Sequence, residues 1–176
     1  MVELPQGRMW RQLPPMARWS LRVDLDAASA AAGAAGIPLS AEVCRARLLS
    51  DWAALWLGPD EQLLVGPESG AVAMATGLNQ AFQTMSPDHA FSLVDVSHRQ
   101  GAIEVSGMHA AELLNTGCPL DLGLLSFPPG SCTRTLLAKA DVVIWRREAN
   151  RFHLEVWRSF LPYVEQFLSL AEQEFC

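Results

Sequence analysis

The chain has no run of lysine or arginine, and its 13 basic residues stand against 19 acidic ones for a formal charge of −6. A nucleic-acid binder would carry a basic stripe to neutralise phosphates, so that class is excluded. Long apolar runs are missing too. The nearest candidate, residues 27–39, is rich in Ala and Gly, weakly hydrophobic and too short to cross a bilayer, which predicts no membrane span. Met1 is followed by Glu3 and Pro5 instead of a basic start and an apolar stretch, so no secretory signal is read and a cytoplasmic protein is expected. Cys44, Cys118, Cys132 and Cys176 form no CxxC pair, which is poor spacing for zinc or a disulfide framework, and they are read as reduced thiols. Cys118 precedes Pro119 at a turn and Cys176 ends the chain, so neither resembles a nucleophile activated by a histidine.

The remaining chemical candidates lack parts as well. His89, His109 and His153 are scattered, with no HxxxH or paired-carboxylate spacing for a metal. Asp95, Ser97 and His98 invite comparison with a catalytic triad, yet residues so close on one strand cannot converge in a chain of hydrogen bonds. Gly66-Pro-Glu-Ser-Gly70 has neither the lysine nor the third glycine of a phosphate loop and reads as a turn. Trp145 and Trp157 could stack a flat ligand, although cross-strand packing in a core is the commoner meaning.

What is present is a chain of 176 residues, half of them apolar, enough for one domain with a sizeable core. Residues 1–17 read as an extended N-terminal arm and 18–176 as a single α+β domain. In the arm, prolines exclude a regular helix or central strand, while Met9, Trp10, Met16 and Trp19 alternate with Arg8, Arg11 and Arg18. Aromatics, Met and Arg are the types enriched at protein interfaces, which makes Trp10, Met16, Arg18 and Trp19 the candidate interface residues. The competing reading has the arm packed on its own domain.

Beyond the arm, 18–25 alternates as a strand with Trp19, Leu21, Val23 and Leu25 on one face. Residues 26–36 suit a short helix capped by Asp26, and 45–50, 53–57 and 62–65 a meander turning at Pro59-Asp60. A surface helix is expected over 69–85, then a hairpin of 90–97 with 102–107 about Gln100-Gly101, with Ile103 and Val105 inward and Glu104 outward. A short helix over 110–116 precedes an apolar central strand at 140–145 and a half-buried partner through Phe152, Leu154 and Val156. Phe160, Val164, Phe167, Leu168, Ala171 and Phe175 give the closing helix one apolar face, with Pro162 tolerated in its first turn. Helices covering one side of a mostly antiparallel sheet make an α+β fold.

Several blocks together carry a resemblance. Leu57-Gly-Pro-Asp-Glu-Gln-Leu-Leu64, Val94-Asp-Val-Ser-His-Arg99, Ile103-Glu-Val-Ser-Gly107, Gly117-Cys-Pro-Leu-Asp-Leu122, Arg134-Thr-Leu with Lys139-Ala, and Trp157-Arg-Ser-Phe160 with Tyr163-Val164 occur in order. In this the chain resembles the gamma subunit of heterotetrameric sarcosine oxidase. The resemblance implies a fold similar to part of the aminomethyltransferase (T-protein, folate-binding) fold, and a non-catalytic subunit beside alpha, beta and delta subunits. It implies an oxidoreductase complex acting on a CH–NH donor: sarcosine is demethylated to glycine, tetrahydrofolate takes the one-carbon unit and oxygen becomes hydrogen peroxide. FAD, FMN, NAD, zinc and tetrahydrofolate are implied for the other subunits and none for this chain. T-protein has a paired acidic motif where this sequence has only Asp141, preceded by Ala140, and an Asn-Ala where Arg158-Ser159 stands. Two alternatives stay open: the similar small subunit of N-methylglutamate dehydrogenase, and a stand-alone folate-binding module.

Overall fold

The structure, a computed structural model, describes residues 8–34, 36–37, 39–84 and 90–175. In chain order the elements are β1 (Trp10–Gln12), β2 (Ala17–Val23), α1 (Leu25–Ala34), β3 (Ala46–Leu49), β4 (Trp52–Gly58), β5 (Glu61–Gly66), α2 (Ala71–Gln83), β6 (Phe91–Asp95), β7 (Gln100–Ser106), α3 (Ala110–Asn115), β8 (Cys132–Leu137), β9 (Ala140–Glu148), β10 (Arg151–Trp157) and α4 (Leu161–Ala171), closed by a 3₁₀ turn over Glu172–Phe175. His89 and Cys176 lie outside the described residues, as does the expected end of the helix at Met85.

An arm over 1–17 and one domain over 18–176 were expected. The chain instead forms two compact units, Met1–Pro14 with His98–Cys176, and Pro15–Ser97. Each has its own antiparallel five-stranded sheet, so the α+β class with helices on one side is met twice.

In the unit of residues 15–97 the strand order is β3-β4-β5-β2-β6. The expected meander is there, with β4 turning into β5 at Pro59-Asp60. Leu21, Val23, Ala54 and Leu64 face Ala28 and Ala32 of α1 and Met74, Leu78 and Phe82 of α2, and these side chains form one core. Each fully buried Leu, Val or Phe stabilises it by about 1.5–3 kcal/mol. The helix begins at Leu25, one turn position before the expected cap, so Asp26 falls inside the helix. Gly70 ends the 66–70 turn with φ +87°, a left-handed conformation that favours glycine, and Gly66 lets the Trp52 ring lie where a Cβ would come within 2.4 Å of it.

In the other unit the order is β1-β7-β10-β9-β8. Alternation puts Ile103, Val105, Val142, Ile144, Phe152, Leu154 and Val156 on the face covered by Leu113 and Leu114 of α3 and Val164 and Leu168 of α4. Phe160 is excluded from that core: it is the N-cap residue of α4 and is exposed. The expected hairpin of 90–97 with 102–107 does not form. β6 pairs with β2 and β7 with β1 and β10, because the chain passes from one unit to the other at Ser97-His98. Gly101 is therefore a strand residue and not a turn residue. Its missing side chain makes room for Leu161 of α4, whose Cδ1 would lie 2.4 Å from a Cβ there.

Candidate functional site

Alternation along the strands of the second unit gives its sheet a face opposite the helices, and that face is not polar and solvated. Glu104 of β7, His153 and Glu155 of β10, Trp145 of β9 and Cys132 of β8 are all buried on it. The expected outward position of Glu104 and the half-buried pattern of β10 are thus corrected. Buried charges need partners, and the sequence supplies them. Arg11 donates to Glu104 Oε1 from Nε at 3.0 Å and from Nη2 at 2.8 Å, and Arg151 Nε lies 3.5 Å from Glu104 Oε2. His153 Nε2 donates to Glu155 Oε1 at 2.6 Å, with both residues almost inaccessible to solvent.

Register decides what this cluster can do chemically. His153 sits opposite Glu104 on one side and Trp145 on the other, and Trp145 sits opposite Cys132. The indole therefore stands between imidazole and thiol, so no Cys–His nucleophile pair is assembled. The His153 and Trp145 rings pack at 5.7 Å between centroids, and Arg147 lies over the same indole. Trp157, expected against Trp145, is opposite Gln100 at the far end of β10 and takes Arg99 over its ring at 5.1 Å. His153 Nδ1, Trp145 Nε1 and Gln100 Oε1 are buried without a hydrogen-bond partner.

A second buried charge does structural duty. Arg146, near the end of β9, is 2% exposed and donates to the carbonyls of Leu122 at 2.8 Å, Phe127 at 2.7 Å and Ala149 at 3.0 Å, while covering the Phe152 ring. It ties the 117–130 loop to the β9–β10 turn with carbonyl oxygens in place of a carboxylate. Desolvation lowers its pKa from the ordinary guanidinium value. Within that loop Asp121 accepts from Ser126 Oγ and from the Gly123 N–H, and those bonds hold its carboxyl below the usual carboxylate range. Nothing in a residue count announced Arg146; the signal was an arginine following the apolar run of a central strand.

Trp10 lies in the core of its own unit, the packing alternative for the arm. Arg18 is 1% exposed and donates from Nη1 to the Met16 carbonyl, while Met16 and Trp19 are half-buried. Asp95 Oδ1 accepts from the Ser97 N–H and Ser97 Oγ accepts from the Arg18 N–H, so this trio forms a local turn with His98 exposed. Asp141 is exposed near the start of β9, opposite Leu136. Cys118 and Cys132 are buried and Cys44 is half-exposed. Among the described residues no three His, Cys, Asp or Glu side chains gather as a metal site, and no helix is long and apolar enough to cross a membrane.

Trp157, Phe160 and Tyr163, at the β10–α4 junction, leave 47%, 43% and 37% of their surface accessible, and Leu136 of the edge strand β8 leaves 44%. Phe160 and Tyr163 meet edge to face, and the Tyr163 hydroxyl accepts from the Lys139 N–H at 3.3 Å.

Comparison with known proteins places this architecture. The sarcosine oxidase, gamma subunit family matches residues 22–174. Sarcosine oxidase subunit gamma of Corynebacterium sp. (strain P-1) is 30% identical over 85% of this chain and 70% of that protein, and its counterpart from strain U-96 is 32% identical over 84% and 69%. Among solved structures, a chain of the heterotetrameric sarcosine oxidase from Corynebacterium sp. U-96 matches with a TM-score of 0.83 at 30% identity, covering 94% of this chain and 84% of that one. The glycine cleavage system aminomethyltransferase T from Bartonella henselae matches with a TM-score of 0.66 at 11% identity, a likeness of fold that spans 90% of this chain and 44% of that protein.

Proposed function

Because the chain belongs to the sarcosine oxidase gamma subunit family, we propose that it is a non-catalytic structural subunit of a cytoplasmic heterotetrameric flavoenzyme, built with alpha, beta and delta subunits. The complex oxidatively demethylates sarcosine to glycine, tetrahydrofolate accepts the one-carbon unit and oxygen is reduced to hydrogen peroxide. FAD, FMN, NAD, zinc and tetrahydrofolate belong to the other subunits.

The observation that carries the scaffold role is how the buried charges of this chain are used. Glu104 of β7 is engaged by Arg11 of β1 and Arg151 of β10, and Arg146 by loop carbonyls, so these charges hold strands or loops together, while His153 is engaged by Glu155 within β10. The folate reading is weakened by the same geometry. Ala140 is packed in the core and Asp141 faces outward at a strand start, which supplies no paired carboxylates for a pterin. Of the four residues read as interface candidates, Met16 and Trp19 retain the exposure that partner contact needs. The test is turnover by the assembly purified through this chain. Consumption of sarcosine with peroxide release is expected; turnover of N-methylglutamate alone, or tetrahydrofolate binding by this chain without partners, would replace this reading.

A further inference from the structure

We propose that the exposed aromatic patch at the β10–α4 junction is a docking surface for an acidic, apolar-tipped segment of a partner subunit. The proposal rests on the subunit reading above and assigns it a surface. Trp157, Phe160, Tyr163 and Leu136 are large apolar side chains left exposed, three of them aromatics gathered within seven residues of chain, and aromatic anchors of this kind carry most of the energy at interface centres. They are also held in place before any partner arrives. The Phe160 N–H donates to the Trp157 carbonyl at 2.8 Å, Phe160 packs on Tyr163, and Tyr163 is tied to the β8–β9 turn through Lys139. Pre-ordering lowers the entropic cost of association.

Charge identifies the occupant. Arg99 over the Trp157 ring, Arg158 next to it in sequence and Lys139 at the adjacent turn are all exposed, and none has a carboxylate partner among the described residues. The Arg158 N–H donates to the Arg99 carbonyl at 2.9 Å, which keeps those two cations side by side. Asp141 is the acidic residue closest in the sheet register, opposite Leu136. A chain with a net charge of −6 has thus left a group of unneutralised cations around its exposed aromatics. Complementary potentials steer association and select partners, so the matching surface is anionic with an apolar tip.

Lys139 is the sole lysine of the sequence, which makes the test direct. In the assembly purified from the native cell, a carbodiimide joins an amine only to a carboxylate within contact distance. Mass spectrometry is expected to find Lys139 linked to an Asp or Glu of another subunit. Trp157→Ser with Phe160→Ser, in chains whose circular dichroism matches wild type, is expected to lower flavin recovered per tagged chain by roughly tenfold or more. Arg99→Glu with Arg158→Glu should do the same and flatten the salt dependence of assembly, whereas Leu125→Ser on a distant exposed position should not. Folded variants that recover full flavin would overturn the docking surface alone. A Lys139 link to a second copy of this chain would assign the face to self-association and overturn the heteromeric occupant. A wild-type chain that brings down no flavoprotein would overturn the subunit reading and the proposal together.

Discussion

Arg146 shows how one residue can replace a network. A buried guanidinium without a carboxylate persists because carbonyls from two separate loops converge on it, and each is left without a donor if it is removed. Arg146→Ala is expected to destabilise the unit by about 2–4 kcal/mol in urea unfolding, with the loss of order centred on 117–130 in hydrogen exchange. Asp121 acts in the same loop with the opposite charge. Its folded pKa lies below the unfolded value, so it contributes stability that is present above the ordinary carboxylate range and lost as pH falls through the lowered folded value. The stability difference between wild type and Asp121→Asn should therefore be constant near neutral pH and shrink in strong acid. A difference that grew on acidification would contradict the assignment.

At the scale of elements, β1 is the strand that the proline-rich N-terminal sequence concealed. Three residues suffice because Trp10, Arg11 and Gln12 pair with Val105, Glu104 and Ile103, and Trp10 packs into the core while Arg11 neutralises Glu104 on the opposite face. Trp10→Ala is expected to cost about 3–5 kcal/mol, measured by thermal or urea unfolding, with far-UV circular dichroism retained at low temperature. Legibility followed how local the signal was. The β9–β10 pair could be read because an unbroken β-branched run met an alternating one across a polar turn. β8 was missed, since Thr133 and Thr135 give an edge strand little hydrophobic contrast. The sequence shows a strand over 102–107 but misplaces its start, since Gln100-Gly101 reads as a turn and is part of β7, and it misplaces its partner, because periodicity reports which face is apolar and is silent on which sheet receives it. The buried ionic face escaped for a related reason: His153, Glu155 and Glu104 look solvated in sequence, and their burial rests on partners that only the fold brings into contact, Arg11 and Arg151 from neighbouring strands for Glu104 and each other within β10 for His153 and Glu155.

At the scale of the whole molecule, two units each with a core of its own and a cation-rimmed aromatic patch fit the proposed role of a subunit held by partners. The family resemblance carried by scattered sequence blocks became membership when the family matched residues 22–174 and relatives 30% and 32% identical matched most of the chain. The exposed aromatic surface is not legible in the sequence, because exposure is a property of the folded chain and not of any motif. The central claim is tested by purifying the tagged chain from its native cell and recording the visible spectrum together with the intact mass of what accompanies it. A flavin absorbance in a complex with three further chains is the expected result; a colourless chain of 19.2 kDa on its own would contradict it.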